Sequence, residues 1–218
     1  MKPTLIFDFD STLIKYESLE LILSEQLKTS PEKMKQIEHL THLGMEGKLS
    51  FQESLQKRLE IASPNLKDLT EFGKNSLLYI TDGMKELLNW AKNNFELWIV
   101  SGGLKESIQP FADAFEISHV HAVSLNWTST GKFISLNDTD PFSKSKVDGV
   151  KTIFSSWKKP SVMVGDGFTD FKVFSEGYST DFIGFTQNVR RSFLNENECL
   201  EASNCIELKV HLKKILNT

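Results

Sequence analysis

The sequence predicts an α/β fold, in which a parallel sheet carries helices on both faces and a small helical segment is inserted after the first strand. Two observations predict this fold. Short apolar runs typical of buried strands alternate with helical periods, and one long segment, residues 17–77, is helical throughout. Polar residues also gather where the apolar runs end, which is the edge at which open α/β sheets bind ligands.

The first strand is predicted over residues 4–9, and the inserted segment follows it with four helices. An amphipathic period from Leu19 to Leu27 indicates the first helix. Ser30-Pro31 marks the start of the second, because proline favours the first helical position. Ser50-Phe51-Gln52-Glu53 has the pattern of a capping box, which predicts the third helix. Ser63-Pro64 ends that helix and precedes the fourth.

The remaining elements restore the alternation of strands and helices. We expect one core domain from residues 1–14 and 80–218, and a helical domain from residues 15–79. The elements predicted for the core after the insertion are a helix over 83–93, a strand over 96–100, a helix over 107–115, a β-hairpin of 120–127 and 132–136, a helix over 145–157, strands over 161–165 and 181–185, and a closing helix over 210–216.

Bulk properties exclude several classes of protein. The 218 residues carry 25% charged and 39% hydrophobic side chains, as ordinary globular proteins do. A net charge of −4 without a basic run predicts no nucleic-acid partner. No long apolar run and no leader-like start are found, so we expect no membrane partner and a cytoplasmic location. Cys199 and Cys205 form no CxxC motif, which favours free thiols over a disulfide.

The most informative motif is the acid pair Asp8 and Asp10, which follows the apolar run Leu5-Ile6-Phe7. Two residues apart on an extended chain, the carboxylates point to the same side. Burying both without a cation or a partner is costly, so the pair indicates a site. The alternative is a strand that simply ends in a polar turn, since aspartate and serine also favour turns.

Three further motifs weaken that alternative. Ser101-Gly102-Gly103 follows a second apolar run, Lys144 and Lys146 stand in the middle of the chain, and Asp166 and Asp170 follow a third run. The order of acid pair, hydroxyl with glycines, lysine and acid pair resembles the haloacid dehalogenase superfamily of phosphoryl-transfer enzymes. Within it, the chain resembles the phosphoserine phosphatase family, and the motifs cover most of the sequence.

The resemblance implies a Rossmann-like core with a helical cap, and Mg²⁺-dependent hydrolysis of a phosphomonoester. Asp8 would be the nucleophile that forms an aspartyl phosphate. Asp10 would protonate the leaving alcohol and then act as base on water. Lys144 would hold the phosphoaspartate, because a lysine followed by a small residue and a helix fits the family pattern better than Lys146 does.

The same resemblance implies the groups that hold phosphate and metal. Ser101 and the N–H of Gly102 would bind phosphate oxygens, since glycine lets a ligand approach the backbone closely. Thr169 stands where relatives often carry asparagine, and its hydroxyl would keep a phosphate or water contact. Mg²⁺ prefers oxygen donors, and those implied are Asp8, Asp10 through its carbonyl, Asp166 and Asp170.

Three cap residues match those that bind phosphoserine in the family. Glu17 would face the substrate ammonium, Arg58 would grip the carboxylate, and Phe51 would cover the site. Phe51 and Arg58 are two helical turns apart and share a face. Singly, each is a common surface or core residue. Together with the family-like segment Gly47–Phe51, they indicate a small phosphorylated metabolite, phosphoserine, as the substrate.

Other functions stay open from the sequence. The motifs do not separate a phosphoserine phosphatase from a phosphatase for another small monoester, or from a phosphotransferase. A phosphoaccepting signalling domain also uses an aspartate, an acid pair and a lysine, but it is shorter and has no helical cap. A non-catalytic relative is disfavoured because every catalytic position is filled. Both a monomer and a homodimer are compatible with the resemblance.

Overall fold

A computed structural model describes residues 2–45 and 48–216, so Gly47 of the cap motif lies outside the described residues. Its centre is a six-stranded sheet, and its strands are β1 (Thr4–Phe7), β2 (Glu96–Leu104), β3 (His119–Val123), β6 (Ser161–Gly165), β7 (Asp181–Phe185) and β8 (Leu200–Ala202). They lie in the order β3-β2-β1-β6-β7-β8, and every neighbouring pair is parallel.

Helices cover both faces of this sheet. Leu5 and Phe7 pack in one buried cluster with Leu88, while Ile6 between them packs in another with Val150. This alternation, with both sides apolar, is what a sheet buried on two faces requires. It confirms the predicted fold class. The helices of this core are α5 (Met84–Asn94), α6 (Lys105–Ala114), α7 (Lys146–Val150), α8 (Phe168–Ser175) and α9 (Cys205–Leu216).

Four helices fill the inserted segment, as the sequence predicts. They pack around a third apolar cluster that includes Leu23, Ile37 and Leu59. The division of the chain into domains after residues 14 and 79 stays a prediction. The inserted helices are α1 (Ser18–Gln26), α2 (Pro31–Met45), α3 (Phe51–Ala62) and α4 (Leu66–Asn75).

The predicted hairpin is wrong in its first strand. Residues 119–127 form two strands, since β3 lies at the edge of the main sheet and only β4 (Leu125–Trp127) pairs with β5 (Phe133–Leu136). The break falls at Ser124, whose N–H donates to Asp140 Oδ2 at 3.0 Å instead of to a strand. The small hairpin that results contacts the inserted helices.

The other differences concern lengths and missed elements. The helix predicted over 145–157 ends at Val150, where the Thr152 hydroxyl donates to the Gly149 carbonyl at 2.7 Å and a 3₁₀ turn follows at Phe154–Ser156. The short elements α8 and β8 were not predicted. Cys199 and Cys205 are free thiols. Among the described helices, none is long and apolar enough to cross a membrane.

His121 on β3 gives the fold a pH dependence. Its ring stacks on Trp98 and Phe142, at centroid distances of 5.2 and 5.8 Å, and burial lowers its pKa to about 4. Between pH 6.5 and about 4 the unfolded chain therefore binds a proton that the folded chain does not. We expect the free energy of unfolding to fall as pH falls through this window.

Urea titrations at several pH values measure this dependence. The slope of the free energy of unfolding against pH should be shallower in His121→Gln than in the wild type. His39→Gln, at an exposed position of α2, serves as the control and should keep the wild-type slope. An unchanged slope in His121→Gln would contradict the assignment of this pH dependence to His121.

Candidate active site

Asp8 and Asp10 lie at the carboxyl end of β1, in the centre of the sheet. The Asp8 N–H donates to the Val164 carbonyl at 2.9 Å, which continues the β1–β6 ladder by one residue. The chain then turns, because Ser11 adopts the left-handed conformation with φ of 52°. Asp10 is fixed by the backbone N–H of Ser18, which donates to its Oδ1 at 2.8 Å. Both carboxylates line one pocket of about 560 Å³.

Ser101 and its glycines form the neighbouring wall, at the end of β2. Ser101 is buried and its Oγ accepts the N–H of Gly103 at 3.0 Å, so the hydroxyl proton can be donated elsewhere. A Cβ on Gly103 would lie 3.0 Å from Asp10 Oδ2, and one on Gly102 would lie 3.5 Å from the Phe51 ring. The first distance is tight, so the lack of a side chain at Gly103 lets Asp10 approach the strand, whereas the second is an ordinary contact. Phe51 lines the pocket, and its covering role stays a prediction.

The lysine of the site is Lys146, and the prediction of Lys144 is wrong. Lys146 is buried, its Nζ lies 2.9 Å from Asp8 Oδ1, and it also donates to Asp170. Lys144 is exposed. The reason is the start of α7: Ser145 caps this helix by accepting the Asp148 N–H at 3.0 Å, so Lys146 is its first residue and Lys144 stays in the preceding turn.

The electrostatics of this lysine favour its charged form. Burial alone would lower the pKa of Lys146, but the carboxylates of Asp170 and Asp8 outweigh burial and raise it above the ordinary value. Lys146 therefore stands beside Asp8 as a permanent positive charge in a water-poor part of the pocket.

Asp166 and Asp170 complete the acidic cluster beyond β6. Asp170 Oδ2 accepts the Gly167 N–H at 3.0 Å, and a Cβ on Gly165 would lie 2.3 Å from Asp170, so only glycine fits there. Oxygens of Asp8, Asp166 and Asp170 lie within 4.8 Å of one another, and all three residues are buried. This all-oxygen donor set, in which burial and Asp8 raise the pKa of Asp166 to about 6, fits Mg²⁺.

Asp10 has the electrostatics that a general acid needs. Burial, followed by the charges of Glu17 and Asp8, raises its pKa well above the ordinary value. A raised pKa keeps the proton on a carboxyl group at a higher pH than usual, which favours its donation to a leaving oxygen.

Arg191 is a site residue that the sequence reasoning missed. Its Nε donates to Asp166 Oδ2 at 2.9 Å and its Nη2 to Glu17 Oε1 at 3.0 Å, so it joins the acidic cluster to the cap. It follows β7 in a stretch that matches none of the motifs. The adjacent Arg190 points away and pairs with Glu201 at 2.9 Å, and no sequence signal separates the two arginines.

The predicted cap residues line the same pocket. Glu17 Oε1 also accepts the Ser11 hydroxyl at 2.8 Å, and Arg58 Nη1 donates to Glu20 Oε1 at 3.2 Å. Glu20, like Thr41, lines the pocket without having been predicted. The predicted residues that line it are Asp8, Asp10, Glu17, Phe51, Arg58, Ser101, Gly102, Asp166 and Thr169; Asp170 lies buried behind Lys146.

Comparison with known proteins places this geometry in a family. Residues 5–175 match the family model of the haloacid dehalogenase-like hydrolases. The chain is 44% identical to a solved phosphoserine phosphohydrolase-like protein from Francisella tularensis, with a TM-score of 0.87 over 97% of this chain and 99% of that one. It is 32% identical to a phosphoserine phosphatase from Campylobacter jejuni subsp. doylei, over 97% of this chain and 96% of the relative.

A more distant relative is longer than this chain. The chloroplastic phosphoserine phosphatase of Arabidopsis thaliana is 28% identical over 81% of the chain, which spans 60% of that relative's length. The chain belongs to the haloacid dehalogenase-like hydrolases. Within that class it is a phosphatase of the phosphoserine phosphatase family, which confirms the resemblance drawn from the motifs. The roles of individual residues stay predictions.

Proposed function

We propose that the protein hydrolyses phosphoserine to serine and phosphate through an aspartyl phosphate on Asp8, with Mg²⁺ as cofactor. The observation that carries this proposal is the set of charges that line one pocket. Asp8 lies there beside Lys146 and the acidic cluster, and the cap adds an acid and an arginine, Glu17 and Arg58, to the same lining. The names of the relatives support the same substrate. The cytoplasmic location and the oligomeric state stay predictions.

The two oxygens of the Asp8 carboxylate have different contacts. Its Oδ1 accepts the Phe9 N–H at 2.7 Å and lies 2.9 Å from Lys146 Nζ. Oδ2 accepts from none of the described residues. One of the two oxygens attacks phosphorus, and the other would be a ligand of Mg²⁺. Attack breaks the bond from phosphorus to the serine oxygen, and Asp10 gives its proton to that oxygen as serine leaves.

The second half of the reaction releases phosphate. A water molecule attacks the phosphorus of the aspartyl phosphate, Asp10 takes a proton from it, and the Asp8 carboxylate is regenerated with Asp10 again protonated. The Ser101 hydroxyl, the Gly102 N–H and Lys146 bind the phosphoryl oxygens while charge develops on them. Asp8, Asp166 and the Asp10 carbonyl would hold Mg²⁺, which would neutralise further charge on the phosphoryl group.

Recognition of phosphoserine needs both charged ends of the amino acid to be paired. An unpaired ammonium or carboxylate in the covered pocket would be costly to desolvate. Glu17 provides a carboxylate for the ammonium, and Arg58 on α3 provides a guanidinium for the carboxylate. The Ser50–Glu53 capping box holds the start of this helix, where Phe51 is the first residue, and so places the cover and the arginine together.

Arg58→Ala tests the substrate. We expect the variant to lose roughly 2–5 kcal/mol of transition-state stabilisation for phosphoserine relative to p-nitrophenyl phosphate, because only phosphoserine leaves a carboxylate unpaired. The ratio of the two kcat/KM values gives this free energy. Phosphate release measures both substrates. Arg190→Ala, which removes an arginine outside the pocket, is the matched control and should keep the wild-type ratio. A wild-type ratio in Arg58→Ala would exclude this role of Arg58 and favour another small phosphomonoester.

Removal of the metal tests the cofactor. Treatment with EDTA should abolish phosphate release, and added Mg²⁺ should restore it, because the buried carboxylates alone repel an anionic substrate. The same treatment of the wild type should leave the circular dichroism spectrum unchanged, which separates loss of the cofactor from unfolding. Full activity in metal-free buffer would rule out the proposed mechanism.

A further inference from the structure

Arg58 enters the pocket with most of its hydrogen-bond donors already engaged. Its Nε donates to the Ser54 carbonyl at 3.4 Å, and Nη1 donates to Glu20 Oε1 at 3.2 Å and to Thr41 Oγ1 at 3.3 Å. A guanidinium group has one N–H on Nε and two on each terminal nitrogen. Among the described residues, the two N–H groups of Nη2 have no acceptor. The arginine therefore presents one nitrogen, rather than a two-pronged edge, to a ligand.

We propose that Glu20 of α1 is the positioning residue that holds Arg58 in this orientation, so that Glu20 sets the preference for substrates that carry a carboxylate. The proposal rests on the proposed function, since it assigns a second residue to the same substrate contact. Glu20 lines the pocket and its side chain is 41% exposed, while that of Arg58 is only 11% exposed.

The contact is suited to positioning because it crosses between two helices. Glu20 lies on α1 and Arg58 on α3, so their ion pair fixes a long side chain across the pocket wall. Without Glu20, the Arg58 side chain would sample more rotamers. Substrate binding would then cost additional conformational entropy, because it must order that side chain each time. Burial lowers the pKa of Arg58 and the charge of Glu20 opposes that change, so the acid also compensates for desolvation of the guanidinium.

The groups that face Glu20 determine how its removal would change substrate binding. Arg58 is its ion-pair partner, Thr41 faces it from α2, and Glu17 lies at the start of α1. A substrate carboxylate bound at Nη2 would stand near the Glu20 carboxylate, so charge alone would weaken binding. If Glu20 nevertheless favours phosphoserine, it does so by orienting Arg58. An uncharged side chain that accepts the same hydrogen bond should then orient Arg58 in place of Glu20.

Three variants separate orientation from charge. Glu20→Ala should lower the kcat/KM ratio of phosphoserine to p-nitrophenyl phosphate about tenfold, through KM, as expected for loss of one hydrogen bond to a charged group. Glu20→Gln keeps an acceptor oxygen and should recover most of that ratio. Glu60→Ala is the matched control, because Glu60 lies exposed on α3 and, within the described part of the chain, its side chain accepts only from Gln56, at 2.7 Å.

The double variant Glu20→Ala/Arg58→Ala decides whether Glu20 acts through Arg58. We expect it to show the ratio of Arg58→Ala alone, because the loss of the arginine makes its positioning irrelevant. A further drop in the double variant would overturn the proposal, as would a wild-type ratio in Glu20→Ala or no recovery in Glu20→Gln. If Arg58→Ala lowers the ratio and Glu20→Ala does not, this inference alone fails. If Arg58→Ala leaves the ratio unchanged, the proposed substrate contact fails and the inference fails with it.

Discussion

Asp8→Asn is expected to lower kcat by roughly 10⁴-fold or more, the scale seen when the nucleophile of a hydrolase is removed. The amide of asparagine is a poor nucleophile and a poor ligand for Mg²⁺. Folding should survive, because the substitution removes one negative charge from a crowded acidic cluster and Lys146 keeps its bond to Asp170. Steady-state phosphate release and thermal unfolding measure the two effects separately.

Asp82→Asn is the matched control for this substitution. The Asp82 side chain is 80% exposed and, among the residues that the structure describes, forms an ion pair only with Lys15, at 2.8 Å. The same chemical change there should therefore leave kcat near the wild-type value. A folded Asp8→Asn variant with wild-type turnover would show that Asp8 is not the nucleophile, and the mechanism would have to be abandoned.

Lys146→Ala should lower kcat by about 10²–10³-fold, whereas Lys144→Ala should have little effect. A charge that faces the developing phosphoryl oxygens in a water-poor pocket is worth far more than an exposed one. Because Lys146→Ala leaves two buried carboxylates without their cation, the variant should also unfold at a lower temperature. Lys146→Gln keeps a hydrogen-bond donor and serves as the second variant if Lys146→Ala does not fold. A larger loss of kcat in Lys144→Ala than in Lys146→Ala would contradict the assignment of Lys146 as the lysine of the site.

The carboxylates of the candidate site were predictable because they lie where apolar runs end. Asp8 follows β1, Asp166 follows β6 and Ser101 lies near the carboxyl end of β2. Parallel neighbouring strands bring these ends to one edge. Spacing alone therefore located three walls of the site. The roles of Phe51 and Arg58 were instead implied by the resemblance to the family, while the capping box and their spacing put both residues on one face of a helix.

Residues that depend on helix register or on long connections were not predictable in this way. Lys144 and Lys146 differ only in which of them begins α7, and the side-chain bonds of Ser145 decide that. Arg191 reaches Asp166 from the connection after β7, and Glu20 meets Arg58 across two helices. These contacts arise from tertiary packing. Neither the Arg191–Asp166 pair nor the Arg58–Glu20 pair has a sequence spacing that would predict it.

The small hairpin has a consequence for how the chain folds. The Leu66 N–H donates to the Gly131 carbonyl at 2.8 Å, and the Leu136 N–H donates to Gln56 Oε1 at 3.1 Å. Val123, Leu125 and Leu136 also complete the apolar cluster of the inserted helices. Residues 15–79 thus share their apolar core with the hairpin. We therefore expect the inserted helices to unfold cooperatively with loss of the hairpin.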